Sequence, residues 1–208
     1  SGTSQFDGVL RDGVGGGSLA LVKSGAGTFA LGGANTFTGD TTVNAGTLKL
    51  INSGALASGT ISLAAGTTFD VSGVTGSNWT LGNGQKLVTS GSATLVGPAT
   101  VASGGVLAPR LSTGFAELTT NGNLVLNGTL RLTLGGGGLT DKLVVQGGLT
   151  LGGASTIVAF DNANANGLGS LGGGVYEIIY ASGGVTGTFG TFTQALTGGA
   201  QTLTYDST

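Results

Sequence analysis

Residues Lys23 to Leu50 read K-S-G-A-G-T-F-A-L-G-G-A-N-T-F-T-G-D-T-T-V-N-A-G-T-L-K-L. Two Gly-Thr pairs, Gly27-Thr28 and Gly46-Thr47, each open a short alternating run. Phe29 and Leu31 flank Ala30 in the first, and Leu48 and Leu50 flank Lys49 in the second. Period-two alternation behind a glycine turn predicts a half-buried strand. Between the runs, Asn35-Thr36-Phe37-Thr38-Gly39-Asp40 forms a polar corner that leads into Thr42-Val43. Strand, corner, strand, corner, strand in under 30 residues is the rhythm of a coil, and the rest of the chain repeats it more loosely.

The stretch resembles the autotransporter-associated β-strand repeat, whose usual form runs K-x-G-x-G-T-L-x-L-x-G-x-N-T-Y-T-G-x-T-x-V-x-x-G-T-L. Lys23, Gly25, Gly27, Thr28, Leu31, Gly33, Asn35, Thr36, Thr38, Gly39, Thr41, Val43, Gly46, Thr47 and Leu48 match it, with Phe29 and Phe37 in place of Leu and Tyr. The resemblance implies an all-β fold, a right-handed parallel β-helix, on a bacterial cell-surface or secreted protein. Upstream, Gly8-Val9-Leu10-Arg11-Asp12-Gly13 fits the G-V-I-x-D-G segment that precedes the lysine motif. Downstream, Gly104-Gly105-Val106-Leu107-Ala108-Pro109 looks like the G-G-x-L-A-P-G phrase of the later passenger coils, with Arg110 in place of the last glycine. Leu118–Leu124, Gly128–Leu132, Asp141–Gly147 and Tyr176–Phe189 fit the sequel of that phrase. The resemblance is strongest over 8–50 and 104–189. It implies a single solenoid over 1–208, with repeat-type coils at 1–103, passenger C-terminal-type coils at 104–189 and a terminal strand or cap at 190–208.

The residues between these motifs carry the same rhythm. Leu19 and Leu21 are expected in a strand before Lys23. Thr60-Ile61-Ser62-Leu63, Thr68-Phe69-Asp70-Val71, Trp79-Thr80-Leu81, Lys86-Leu87-Val88 and Thr94-Leu95-Val96 are short strands separated by glycine turns. Lys49, Ser62, Asp70, Thr80, Arg131 and Thr150 each sit between two apolar neighbours, so each wall should have one wet and one dry face. At about 20 residues a coil the chain makes roughly ten coils, and at about 4.8 Å a coil the rod is about 50 Å long. No segment shows a helical period. Asn35, Asn44, Asn52, Asn78, Asn121 and Asn127 fall at turns, where amide side chains can bond from coil to coil.

Composition supports a folded chain. Glycine numbers 45 of 208, and Gly, Pro, Ser and Gln together make about a third, a level that also suits disordered low-complexity sequence. Disorder, however, goes with low hydrophobicity and high charge. Here 39% of residues are hydrophobic and only 8% are charged. A chain that turns every few residues needs positive φ, which glycine adopts without steric cost. The two prolines, Pro98 and Pro109, interrupt few ladder bonds.

Several functions are excluded. The net charge is −2 and the seven basic residues are scattered, so nucleic acid is not an expected partner. No apolar run approaches about 18 residues, so no helical membrane span is expected. The chain has no cysteine and therefore no disulfide. In the resembled family cysteine-free passengers are common, because they cross an outer membrane unfolded. With no initiator Met and no signal peptide, the chain is expected to be a processed product or an excised fragment. The absence of histidine and cysteine removes Ser-His-Asp and Cys-His catalysis and zinc sites built on those ligands.

Nine carboxylates remain: Asp7, Asp12, Asp40, Asp70, Glu117, Asp141, Asp161, Glu177 and Asp206. Some parallel β-helices are glycan lyases or hydrolases that use clustered carboxylates. No two here lie within four residues of each other, and each is expected to be a solvated outward charge. Asn162-Ala163-Asn164-Ala165-Asn166-Gly167 starts like a calcium loop but lacks the charged ligands, so it reads as a loop excursion. Gly15–Gly17 and Gly135–Gly138 lack the Lys-Ser/Thr of a phosphate loop and read as turns. No catalytic residue, metal site or cofactor is expected.

The ends draw attention instead. Solenoids stop on unpaired edges that are usually capped, and no capping helix is visible. Tyr176, Tyr180, Phe189, Phe192 and Tyr205 gather late in the chain, as an end cap or a glycan-stacking surface. The expected assembly or end contacts are Phe6, Leu10, Tyr176, Tyr180, Phe189, Phe192, Leu203 and Tyr205. Two open ends that pair head to tail would build a filament. The expectation is a non-enzymatic extracellular or cell-surface structural or adhesive β-solenoid, outside the outer membrane. Its expected partners are further copies of itself, surface glycans, or host and matrix components. The rival readings are a rigid passenger stalk or adhesin fragment, a polysaccharide-active β-helix, and a functional amyloid seeded by Ser155–Phe160.

Overall fold

The computed structural model describes residues 2–76, 78–109, 115–135, 139–161 and 177–195. Among these the chain holds 21 strands and no helix. Every pairing between strands is parallel and joins a strand to its counterpart one turn away. Tyr176, Leu203, Tyr205 and Asn162–Gly167 lie outside the described residues.

The strands form three walls. The first holds Thr3–Phe6, Thr28–Leu31, Thr47–Asn52, Thr68–Val74, Ala93–Val96, Glu117–Asn121, Lys142–Val145 and Ile179–Ala181. The second is shorter: Trp79–Leu81, Ala99–Val101, Leu124–Leu126, Leu149–Leu151 and Val185–Gly187. The third holds Leu21–Lys23, Thr41–Val43, Thr60–Leu63, Lys86–Thr89, Val106–Pro109, Thr129–Leu134, Thr156–Asp161 and Thr191–Ala195. From Thr68–Val74 onward the chain visits first, second and third wall in order, turn after turn; before that it alternates between the first and third walls. This is the right-handed parallel β-helix that the resemblance implied, with the hand that parallel crossovers take.

The turns differ in length. Along the first wall the register advances by 25, 19, 21, 26, 25, 25 and 36 residues per turn, through Thr3, Thr28, Thr47, Thr68, Thr94, Thr119, Val144 and Tyr180. The described residues thus make eight turns along the first and third walls, where a uniform 20-residue coil gives about ten. The first three turns lack a second-wall strand. There the predicted corner takes its place, held by an isolated Ala34–Ala55 bridge and by Thr36 N–H donating to the Leu10 carbonyl at 2.9 Å. The corner is not wholly polar, because Phe37 turns inward and is fully buried. Leu19 lies outside the strand expected for it, which begins at Leu21.

Alternation does what the sequence predicted. Phe29, Leu48, Phe69, Leu95, Thr120 and Val145 share one column on the inward face of the first wall. Lys49, Ser62, Asp70, Thr80, Arg131 and Thr150 all escape burial. Each fully buried Leu or Phe contributes about 1.5–3 kcal/mol relative to exposure. Phe69 meets Trp79 edge to face, with ring centroids 5.1 Å apart, and so ties the first wall to the first strand of the second. Some glycines are fixed by close approach between turns. Gly46 has φ +68°, and a Cβ there would lie 2.5 Å from the Gly27 carbonyl oxygen of the turn before.

Thr120 breaks the apolar column. It is buried, and its hydroxyl has no hydrogen-bond partner among the described residues. An unpaired buried hydroxyl costs about 1–3 kcal/mol. Thr120→Val keeps the shape and removes the polar atom, so urea unfolding should show stabilisation of about 1 kcal/mol. Phe69→Ala should lose about 3–5 kcal/mol by the same measurement, through the lost apolar contact and the cavity left against Trp79.

Candidate functional surfaces

The repeat motif owes its polar residues to contacts between turns. Lys23 is buried, and its ammonium donates to the Gly25 carbonyl and, at 3.0 Å, to the Ala45 carbonyl of the next turn. Asn35 spans three turns. Its Oδ1 accepts from Leu10 N–H at 2.9 Å, and its Nδ2 donates to the Gly33 and Ala55 carbonyls at 2.8 and 3.0 Å. Asp12 accepts from the amides of Leu19 and Thr38 and from the Thr38 hydroxyl, at 2.8, 3.0 and 2.7 Å. The Leu19 amide first, then the Thr38 hydroxyl and amide, hold the Asp12 carboxyl below its ordinary range against a small opposing effect of desolvation. Asn78 reaches Thr100 on the next turn at 2.6 Å, as expected of a turn asparagine. Asn123, which the sequence did not single out, accepts from Gly148 N–H one turn on at 2.9 Å.

The described carboxylates serve the fold in different ways. Asp70 pairs with Lys49 at 2.7 Å across adjacent outward positions. Burial pushes the Asp70 carboxyl up, but the Lys49 hydrogen bond, the Ser72 hydroxyl and amide, and the Lys49 charge together hold it below the ordinary value. Glu177 pairs with Lys142 at 2.7 Å, and Lys142 also lies over the Tyr180 ring, 5.9 Å from its centroid. Asp141 corrects the expectation of a solvated charge, because it is 0% exposed. Its carboxylate accepts from Ala116 N–H at 2.9 Å and Thr133 N–H at 2.7 Å. It pins a small hairpin, Leu134 bridged to Thr140, against the preceding turn. Backbone donors that no alternation pattern encodes make that burial affordable. Among the described residues no group of three His, Cys, Asp or Glu side chains converges as a metal site would require.

Of the expected end contacts that are described, Phe6 and Leu10 lie on the first described turn, and Tyr180, Phe189 and Phe192 on the last described one. Phe6 is 39% exposed on the first strand, while Leu10 packs partly against the core. Tyr180 is 49% exposed on the last turn, while Phe189 and Phe192 pack partly against the core. Sequence reasoning missed Val9, Val14, Leu19 and Val22, which are also exposed on the first turn. With Phe6 they make that turn the largest gathering of exposed apolar side chains among the described residues.

A second feature was invisible without register. Thr3, Thr28, Thr47, Thr68, Thr94 and Thr119 occupy one column through six consecutive turns. They are exposed or half-buried and line the outer face of the first wall. Turns of unequal length scatter them through the sequence, so only the Gly-Thr pairs hint at the column.

Two comparisons with known proteins agree with this picture. Residues 21–50 match the family described as passenger-associated-transport-repeat. Over 171 residues, 76% of its length, the chain is 35% identical to the protein named adhesin BmaC autotransporter from Brucella suis biovar 1 (strain 1330). The chain spans about 5% of the length of that relative. The resemblance read from Lys23–Leu50 is thus borne out, and the chain carries an autotransporter passenger repeat within a parallel β-helix.

Both lowered carboxyls bear on acid stability. A carboxyl whose folded value lies below its unfolded one stabilises fully above the ordinary carboxylate range, and that contribution fades as pH falls through the lowered value. Melting temperatures recorded from pH 6 down to pH 2 should therefore fall on the acid side, and Asp70→Asn should flatten the fall. At neutral pH, Asn35→Ala should cost about 1–3 kcal/mol in urea unfolding, because it strips partners from buried backbone groups of three turns.

Proposed function

We propose that this passenger-like β-helix is a rigid, non-catalytic segment of an extracellular or cell-surface adhesive protein. The observation that carries the reading is the unbroken parallel stack of three walls, whose outer faces present small polar side chains. Such a ladder resists bending because each strand between the two ends of its sheet is hydrogen-bonded on both edges along the rod. A stiff rod with a large hydroxyl-rich surface suits the display of contacts away from a cell. The likeness to a protein named as an adhesin supports the same reading.

A second reading concerns assembly. Phe6, Val9, Leu19 and Val22 expose apolar surface beside strands that pair on one edge only among the described residues. A further β-helical turn laid on them would bury that surface and satisfy the open ladder. The turn comes from another copy, by head-to-tail contact, or from a longer chain of which this one is a part. Under this reading Tyr180, Phe189 and Phe192 are the contacts at the opposite end.

Beads coated with the purified chain should adhere to immobilised matrix and glycan surfaces more strongly than albumin-coated beads. Equal retention would remove the adhesive role and leave a stalk. Light scattering over a concentration series addresses assembly. Mass that rises with concentration, and that Phe6→Asp with Val22→Asp abolishes, supports head-to-tail contact; a monomer at every concentration rules it out.

A further inference from the structure

The third wall carries a groove that the repeat motif does not account for. Ser62, Val88 and Ala108 follow one another in a single outward column on successive turns. Leu107 pairs with Leu130, which places Arg131 in the same column one turn beyond Ala108. Lys86 lies in the neighbouring column, in register with Val106. The short side chains of Ser62, Val88 and Ala108 leave a trough of about 470 Å³ between the longer ones, a volume in the range of small-ligand sites. One flank is built up where Thr133 is buried beside the Asp141-pinned hairpin.

The trough has a definite chemistry. Its floor is apolar and shallow, made by Val88, Val106 and Ala108. Ser62 and Ser90 bring hydroxyls to its edge. Lys86 is exposed and makes no ion pair among the described residues, whereas Lys49 and Lys142 are paired with carboxylates and Lys23 is bound to carbonyls. Arg131 lines the far end of the trough two turns away, about 10 Å along the axis, and already has a partner of its own. Asp141, the acid beside the flank, already accepts hydrogen bonds from two backbone amides.

A ligand that fits needs a flat face with apolar C–H groups, several hydroxyls and a negative charge. We propose that this groove binds a uronate residue of an acidic oligosaccharide. The sugar ring lies over Val88 and Ala108, its hydroxyls meet Ser62 and Ser90, and its carboxylate meets Lys86. The trough runs along the rod axis and is open to solvent, so neighbouring sugars extend along it. This assignment rests on the adhesive reading above and gives it a ligand class.

The test is calorimetric titration of the intact chain with a tetrasaccharide of alternating glucuronate and N-acetylglucosamine, beside its methyl ester. The acid should bind and the ester should bind about tenfold more weakly, as loss of a charged hydrogen bond implies. Lys86→Gln should weaken binding of the acid by a similar factor, while Arg11→Gln, a cation on the exposed first turn, should leave it unchanged. No binding, equal binding of the ester, or a silent Lys86→Gln would overturn the proposal. So would equal affinity for a poly-glutamate peptide with the same dependence on Lys86, which would make the groove a general acidic-peptide site. The bead assay separates this failure from that of the parent reading. Beads that adhere without binding the tetrasaccharide sink the groove alone, and beads that adhere to nothing sink the adhesive role.

Discussion

Each turn of this protein is closed by backbone hydrogen bonds to the turns above and below, and very little by bonds within itself. That constraint governs the rest. Strands of three to seven residues are too short to stand alone, yet they persist because the same ladder continues through eight turns. It also explains the glycines that matter. At Gly46 the chain takes positive φ, and the preceding turn passes so close that a Cβ would collide with backbone. At Gly152 a Cβ would run into the Asn127 side chain one turn below. The glycine content is therefore the sign of stacked backbones, not of a loose chain.

The polar residues of the repeat follow from the same constraint. Corners between strands leave amides and carbonyls that neither wall can satisfy. Lys23, Asn35 and Asp12 supply the missing partners, and each reaches into a neighbouring turn. A buried lysine and a buried asparagine would each destabilise a core without such partners. Here they lock the stacking of one turn on the next and leave the outer faces free for other work.

Those outer faces divide the labour. The first wall carries the threonine column and the Lys49–Asp70 pair, whose two charges satisfy each other. The third wall carries short side chains in its middle turns and a Lys86 that is exposed. Charge on the first wall is largely taken up by ion pairs within the protein, whereas Lys86 on the third makes no ion pair among the described residues. The difference lies in which outward positions fall in register, since both walls have the same backbone.

How much of this could be read from the sequence depends on the range of the interaction. Alternation of Phe29 with Leu31 and Leu48 with Leu50 is local, so the sequence alone determined the strands and the wet and dry faces of each wall, while the parallel coil was legible through the likeness of Lys23–Leu50 to a known repeat. It also settled the absence of histidine and cysteine chemistry, because composition is complete in itself. Burial of Asp141, the inward turn of Phe37 and the exposed apolar first turn depend on contacts 20 or more residues away or on what covers a face, which no local pattern encodes. The threonine column and the third-wall groove needed the register between turns. Unequal turn lengths, from 19 to 36 residues, hide that register, and only the tertiary structure decided which side chains became neighbours.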